Sequence, residues 1–551
     1  MNKYTVLKQY FGYDSFRPGQ ERLVDSILSG RDVLGIMPTG AGKSLCYQVP
    51  ALLMTGITLV VSPLISLMKD QVGALNEAGV HAAYINSSLT DNQITKALAL
   101  ASRGQYKIIY VAPERLETRG FLDFATHAEI SMITVDEAHC ISQWGQDFRP
   151  SYLNILSFVN KLAVRPVISA FTATATSKVR DDILQILSLE RPTILTTGFD
   201  RENLCFKVKH IKDKDSYVLD YVISHRQDSG IIYCATRKNV EKVYDLLNSN
   251  GFSVTKYHAG LSPQERKDNQ DSFIYDIKPV VVATNAFGMG IDKSNVRYVI
   301  HYNMPQCIEN YYQEAGRAGR DGEDSECILL YSPQDIMINK FFIEHREPNP
   351  EIDESEQARL IALDKRRLNA MVDYCRTAGC LREYILKYFG EKPDNPYGGK
   401  YNCNNCSNCI ADESELLADK AYMDTGSRIR GRDSGRDIMT AEKLKRSAQM
   451  AKSAYATPRT RKPEDVLNER GVELFNRLRE LRKMIAVSVG MPPYIIFSDK
   501  TLIDMCLKVP FNREEMLSVS GVGENKYERY GKTFVDEIYD FLDGMKENLA
   551  R

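Results

Sequence analysis

The sequence predicts an α/β protein: two parallel-sheet lobes, then a helical metal-binding subdomain and a C-terminal helical domain. Three observations predict it. Short apolar β-type runs alternate with helical stretches over residues 1–200 and again over 201–345, the pattern of parallel sheets with helical crossovers. A glycine-rich turn follows the first run, and an acidic block follows a later one. Beyond residue 346 the character turns helical, and a cysteine cluster appears.

In the first lobe the β-type runs are Val33-Leu-Gly-Ile-Met, Ile57-Thr-Leu-Val-Val-Ser, Ile108-Ile-Tyr-Val, Met132-Ile-Thr-Val and Val167-Ile-Ser-Ala-Phe. In the second they are Gly230-Ile-Ile-Tyr-Cys, Val254-Thr-Lys-Tyr-His, Pro279-Val-Val-Val-Ala-Thr, Val296-Arg-Tyr-Val-Ile-His and Cys327-Ile-Leu-Leu-Tyr, with no glycine-rich phosphate turn. Residues 346–410 form the helical metal-binding subdomain. Leu360, Leu363, Leu368, Met371, Val372 and Cys375 recur there at helical spacing. Residues 411–465 read as a flexible basic linker, with a short helix expected over 440–454. From Gly426 to Pro463 the chain carries eleven Lys/Arg against three Asp/Glu, an excess suited to backbone phosphate. Residues 466–545 return to helix.

Composition sets outer bounds. At 551 residues, 43% hydrophobic and 26% charged, the chain has material for several globular cores. A net charge of −1 argues against coating nucleic acid by bulk charge, but not against local basic grooves. No run of about 18 apolar residues indicates a membrane span, and the N-terminus lacks the apolar core of a secretion signal. A cytoplasmic setting is therefore expected (nucleoid-associated in a bacterium), with the twelve cysteines as thiols or metal ligands.

The chemistry concentrates in two blocks. Met37-Pro-Thr39-Gly40-Ala-Gly42-Lys43-Ser44 opens a helix, where backbone N–H groups and the helix N-terminus face phosphate oxygens. Lys43 brings a charge to the β- and γ-phosphates, and Ser44 is a Mg²⁺ ligand. Met37 stands where the strict pattern has Gly, while Gly40 and Gly42 keep the close backbone approach. In Thr134-Val-Asp136-Glu137-Ala-His139, Asp136 is placed to hold the same Mg²⁺ through water. Glu137 is placed to orient and deprotonate an attacking water. The pair implies nucleotide hydrolysis.

Further segments extend the site. Ser169-Ala-Phe-Thr172-Ala-Thr174 offers hydroxyls toward the acidic block. Gln313-Glu-Ala-Gly-Arg317-Ala-Gly-Arg320 places two arginines on one helix face, as a finger from the second lobe onto transition-state charge. In Phe11-Gly-Tyr13-Asp-Ser-Phe-Arg17-Pro-Gly-Gln20, Gln20 suits the adenine edge and Tyr13 the ring face, with Arg17 beside them. The loop Cys140-Ile-Ser-Gln143-Trp144-Gly-Gln146-Asp147-Phe148-Arg149-Pro carries the only Trp of the chain. Trp144 there can stack on a base, a contact worth about 1–3 kcal/mol, and so couple nucleic acid to hydrolysis, with Phe148 and Arg149 alongside.

These blocks together resemble the RecQ family of superfamily 2 DNA helicases, near-continuously over residues 4–410. Pro63-Leu-Ile-Ser-Leu-Met-Lys-Asp-Gln71, Ala112-Pro-Glu-Arg-Leu, Tyr257-His-Ala-Gly, Ala286-Phe-Gly-Met-Gly-Ile-Asp292 and Gln313 through Arg320 read as that family does. The resemblance implies two RecA-like lobes and ATP-driven, 3′-to-5′ unwinding of single-stranded and forked DNA in repair and recombination. It also implies a monomer, with a single-stranded-DNA-binding protein as a partner. Gln146 stands where the family commonly has His, which puts any titrating role there in doubt.

Cys380-x₂₂-Cys403-x₂-Cys406-x₂-Cys409 has the spacing of a thiolate knuckle closed by a fourth Cys, a set that selects Zn²⁺. It matches the zinc subdomain of the same family. After Cys409 the resemblance breaks, because the family's winged helix has no counterpart in the basic stretch. Residues 466–545 resemble an HRDC domain. In it, Leu517-Ser-Val-Ser-Gly521-Val-Gly523 suits either a phosphate or a tight turn. A DExH RNA helicase shares the ATP blocks but not the Trp144 loop or the cysteines. An ATP-switched DNA-binding or annealing protein is the reading that the absent winged helix keeps open.

Overall fold

The computed structural model describes residues 1–145, 147–288, 293–346, 352–392, 401–410 and 466–549. Expectations for Gln146, for Met289–Asp292, and for the basic linker 411–465 with its short helix lie outside the described residues.

Two parallel sheets carry the fold. The first joins β1 (Val33–Ile36), β2 (Ile57–Val61), β3 (Ala82–Ile85), β4 (Ile108–Val111), β5 (Ile130–Val135), β6 (Val167–Thr172) and β7 (Thr193–Thr196) in the order β3-β4-β2-β5-β6-β1-β7. The second joins β8 (Leu204–His210), β9 (Ser229–Tyr233), β10 (Val254–Tyr257), β11 (Val280–Ala283), β12 (Val296–His301) and β13 (Ser325–Tyr331) in the order β10-β11-β9-β12-β13-β8. All ten strands expected from the sequence form. The three unanticipated ones, β3, β7 and β8, lie at sheet edges.

Helices pack on the sheets, and β1, β2, β4 and β11 are buried along their whole length and read as near-continuous apolar runs. A single buried cluster runs from Leu34 and Ile133 in the first lobe through Phe206 and Leu329 in the second to Leu386 and Cys406 beyond it. Packing in β9 admits no side chain at Gly230. A Cβ there would stand 2.0 Å from the ring of its cross-strand neighbour Tyr298.

The outer edge of β8 is closed by the cysteine-rich segment. Phe206 bridges to Cys406, and Val208 N–H donates to Ser407 Oγ at 3.3 Å. An otherwise open edge is thereby covered. The helix Glu354–Arg376 buries Leu363, Leu368, Met371, Val372 and Cys375 of the face its spacing predicts and leaves Leu360, near its start, half-buried. The ring of Phe389 stacks on Phe199, the centroids 4.4 Å apart.

The C-terminal domain has its own core, with Leu474, Leu478, Phe497, Phe534 and Ile538 among its buried residues. It contains the helices Glu469–Val489, Asp499–Lys508 and Lys532–Leu549. Arg482 is buried there, donating to Phe497 O at 2.7 Å and paired with Asp499. The domain rests on both lobes. Asn525 Nδ2 donates to Ala78 O at 2.6 Å, and Arg529 and Tyr530 both meet Glu77. The N–H of Gly521 donates to Gly12 O at 3.0 Å. Tyr275 of the second lobe packs against the domain's apolar core. Among the described residues, no helix is long and apolar enough to cross a membrane.

Gly230→Ala should cost about 1–3 kcal/mol of stability through overpacking against Tyr298. Denaturant or thermal unfolding of the variant checks this, with the second lobe losing cooperativity first.

Candidate functional site

Both sheets end at one cleft. The turn after β1 leads through Gly40 and Gly42, both at positive φ, into the helix Lys43–Leu53. Only glycine takes that backbone shape without strain. Two positions away across the sheet order, beyond β6, β5 leads into Asp136, whose N–H is held by Val61 O at 2.9 Å. Glu137 sits at φ 47°, a left-handed conformation that costs a non-glycine residue energy and often marks a functional turn.

From the second lobe, Arg317 and Arg320 reach the same cleft. The cavity between the lobes is about 290 Å³ and is lined by Lys43, Ser44, Asp136, Glu137, Arg317 and Arg320. Tyr13, Arg17, Gln20, Thr39, Gly40 and Gly42 also line it. The residues expected at the nucleotide site are thus brought to one place.

Crowding of like and unlike charge sets their protonation. Burial pushes the Asp136 carboxyl up to about 7, and the neighbouring Glu137 adds to the rise while Lys43 opposes it. Burial acts the same way on Glu137, but His139, Lys43 and Arg317 overcome it and hold its carboxyl down at about 2. Burial lowers Lys43 and Arg317 from their ordinary values.

Asp136 accepts from the Glu137 N–H at 3.0 Å and from Ser62 Oγ at 3.4 Å. His139 Nδ1 lies 2.9 Å from Thr172 Oγ1 and 3.3 Å from Glu137 Oε2. The Thr172 hydroxyl donates to Thr174 O at 3.0 Å, so it accepts from the imidazole N–H, and Glu137 Oε2 is left without a hydrogen bond. The threonine block and the acidic block therefore meet through one imidazole.

Gln20 is buried and already engaged. Its Nε2 donates to Ala41 O at 3.1 Å and Gly42 O at 3.0 Å, and its Oε1 accepts from the Arg17 N–H at 2.8 Å. In this structure it braces the glycine turn, and Tyr13 is exposed beside it. Arg201 was not legible as a site residue. From the start of the second lobe its Nη1 donates to Thr39 O at 2.7 Å, and its Nη2 to Gly319 O at 2.8 Å. A lone Arg between Asp200 and Glu202 gives no motif to find it by.

The Trp144 loop adjoins the acidic block. A Cβ on Gly145 would stand 2.2 Å from His139 O, so the loop turns directly on that residue. Trp144 and Phe148 are half-buried. Arg149 pairs with Asp147 at 3.1 Å and donates to Pro63 O at 3.2 Å.

Cys380, Cys403, Cys406 and Cys409 bring their four sulfurs within 4.8 Å of one another, with Cys380 and Cys406 3.9 Å apart. Tetrahedral ligation at about 2.3 Å per Zn–S bond sets sulfurs about 3.8 Å apart, so the donor set fits zinc and leaves no open position.

Comparison with known proteins agrees with this layout. Residues 17–183 match the DEAD/DEAH box helicase family, and 213–322 the helicase conserved C-terminal domain. Residues 333–410 match the RecQ zinc-binding family, and 472–538 the HRDC domain. ATP-dependent DNA helicase RecQ of Bacillus subtilis is 41% identical, covering 97% of this chain and 98% of the relative. The protein of the same name in Pasteurella multocida is 36% identical, covering 97% and 93%. The DEAD-box helicase Mss116 bound to single-stranded RNA shares the fold, with TM-score 0.52 at 16% identity over 67% of this chain and 86% of that one.

Lys43→Ala should abolish ATP hydrolysis, and Glu137→Gln should bind nucleotide without turnover. Near-normal phosphate release by either variant would place the site elsewhere. Metal analysis should find one zinc per chain. Cys403→Ser or Cys406→Ser should lower solubility or DNA binding more than nucleotide affinity, and iron with visible absorbance would contradict the zinc assignment.

Proposed function

The chain belongs to the RecQ family of ATP-dependent DNA helicases, and on that premise we propose that it is a motor that unwinds forked DNA, moving 3′ to 5′ along one strand. The observation that carries the reading is the shared cleft, where Lys43, Asp136 and Glu137 of one lobe face Arg317 and Arg320 of the other. A site divided between two lobes is completed when they close and undone when they part, which turns hydrolysis into relative motion.

In this reading Lys43 sets its charge against the β- and γ-phosphates of ATP, and the glycine turn cradles them. Ser44 and Asp136 would hold Mg²⁺, which offsets charge on the phosphate oxygens. Asp136, pushed up to about 7, is a buried carboxyl in need of a cation, and that supports the assignment. Glu137 stays ionised and accepts a hydrogen from the attacking water. Arg317 and Arg320 meet the charge that develops on the transferred group, a contribution of about 10³–10⁵ in rate where such arginines have been removed.

Contact with DNA is assigned to the Trp144 loop, supported by its seat on His139 beside the acidic block. Phe148 and Arg149 are assigned to the same strand path. The boundaries 1–200, 201–345, 346–410, 411–465 and 466–545 divide the chain into lobe 1, lobe 2, zinc subdomain, basic tether and HRDC-type domain. The enzyme is proposed to act as a monomer in the cytoplasm or nucleoid, on strands supplied with a single-stranded-DNA-binding protein.

A forked duplex with a 3′ tail should be unwound only with ATP, and one with a 5′ tail should not. ATP-dependent hydrolysis without strand release on either substrate would favour the annealing or switching role. Trp144→Ala should retain ATP binding while stimulation by single-stranded DNA collapses. An unchanged stimulation ratio would return Trp144 to a packing role.

A further inference from the structure

The helix Glu354–Arg376 belongs to the chain beyond the second lobe, and it packs on helices of that lobe. Three of its side chains nevertheless end on the Trp144 loop of the first lobe. Glu356 accepts from Gln143 Nε2. The guanidinium of Arg359 lies over the Trp144 ring, 5.6 Å from its centroid. Arg367 donates to the carbonyls of both Trp144 and Gly145, the second at 3.1 Å. A salt bridge to Asp364, 2.9 Å away, aims Arg367, and its side chain is only 12% exposed. Positions 356, 359 and 367 share one face of the helix, so one rigid element makes all three contacts.

In this arrangement these contacts compete with the function assigned to the loop. A base stacks on the face of an indole, and Arg359 occupies that face by a cation–π contact. The carbonyls taken by Arg367 lie at Trp144 itself, where the loop must move if the ring is to turn toward a strand.

We propose that the helix Glu354–Arg376 is a latch on the Trp144 loop, and that Arg367 is a positioning residue that sets how readily DNA triggers ATP hydrolysis. The inference rests on the reading of Trp144 as the DNA-coupling residue. In this proposal the latched arrangement is the one that DNA must displace to engage the Trp144 ring. Removing the latch favours the engaged arrangement by whatever differential stability it supplied. Because the latch is anchored on the second lobe, its release is also tied to the distance between the lobes.

The only Trp of the chain makes the loop directly observable. The full-length protein would be compared with Arg367→Gln, Arg367→Lys and Arg359→Gln by Trp emission and iodide quenching. ATP hydrolysis would be titrated with oligo(dT), with Trp144→Ala carried in parallel.

Without DNA, Arg367→Gln should show emission that is red-shifted and more readily quenched by iodide than that of the wild type without DNA. Its half-maximal oligo(dT) concentration should fall about tenfold, the scale of a lost charge-assisted pair of hydrogen bonds. Arg367→Lys keeps the charge but not the two nitrogens that hold Asp364 and the loop carbonyls at once, and should fall in between. Arg359→Gln should brighten or shift the emission even if Arg367→Gln proves unstable, so a folding failure at one position leaves the test intact at the other.

Wild-type emission in both glutamine variants would overturn the latch, as would shifted emission with an unchanged oligo(dT) midpoint. If Trp144→Ala keeps full stimulation, it is the coupling role of Trp144 that fails. If Trp144→Ala loses stimulation while the Arg367 variants behave as wild type, the latch alone fails.

Discussion

Five charges that neither lobe could bury alone meet between the two sheets. Asp136 and Glu137 sit side by side with Lys43 at the carboxyl ends of β5 and β1, and burial strains all three. Uncompensated buried charge is costly, and within the first lobe Lys43 and His139 face the two carboxyls. The second lobe brings Arg317 and Arg320 to the same cleft, and Arg317 further favours the ionised form of Glu137. The parallel-sheet order places these residues there. β1 and β5 flank β6, so the phosphate turn, the acidic block and the threonine block emerge as neighbours at one edge. His139 and Thr172 then convert adjacency into a bonded path, and Gly145 extends it to the aromatic loop.

Much of this was legible in the sequence because the chemistry is local. Val33–Ile36, Ile108–Val111 and Val280–Ala283 are buried on both faces and so read as continuous apolar runs. β7, by contrast, is Thr-Ile-Leu-Thr with only its first residue buried, and β3 leaves both middle residues half-exposed. Half-wet edge strands carry too weak a pattern to separate from loop. The same contrast holds at the cleft. The phosphate turn, acidic block and paired arginines are contiguous in sequence, and so were readable. Arg201, Arg359 and Arg367 act singly, across separations of 162 and 223 residues in the bonds of Arg201 and Arg367 to the first lobe. Nothing at their own positions signals that partner. The glycines Gly521 and Gly523 were equally suited to a phosphate or to a turn, and here the N–H of Gly521 is already taken by Gly12 O.

The cysteine knuckle shows how a structural metal site serves the motor without entering its chemistry. Cys406 bridges to Phe206 on β8, and Arg382, two residues after Cys380, donates to Leu204 O at 2.6 Å and pairs with Asp200. The knuckle thus fixes the first strand of the second lobe and the neighbourhood of Arg201. It also anchors the helical segment whose long helix reaches back to the first lobe.

The C-terminal domain touches both lobes, and that alters the mechanics of the whole. Two bodies joined at one hinge form an open linkage and swing freely. A third body resting on both closes the linkage into a ring, and a ring of rigid parts changes shape only by letting go at a joint. The joints here are unequal. On the second lobe the domain is met by Tyr275, half-buried against its apolar core. On the first it is held by Asn525, Arg529, Tyr530 and one backbone bond from Gly521. Each such polar contact is worth about 0.5–1.5 kcal/mol net, so the first-lobe seat is at least as strong as that of one half-buried tyrosine. Any change in the distance between the lobes must break or shift one of the two seats, and a break on the first-lobe side would bare the Gly521 amide.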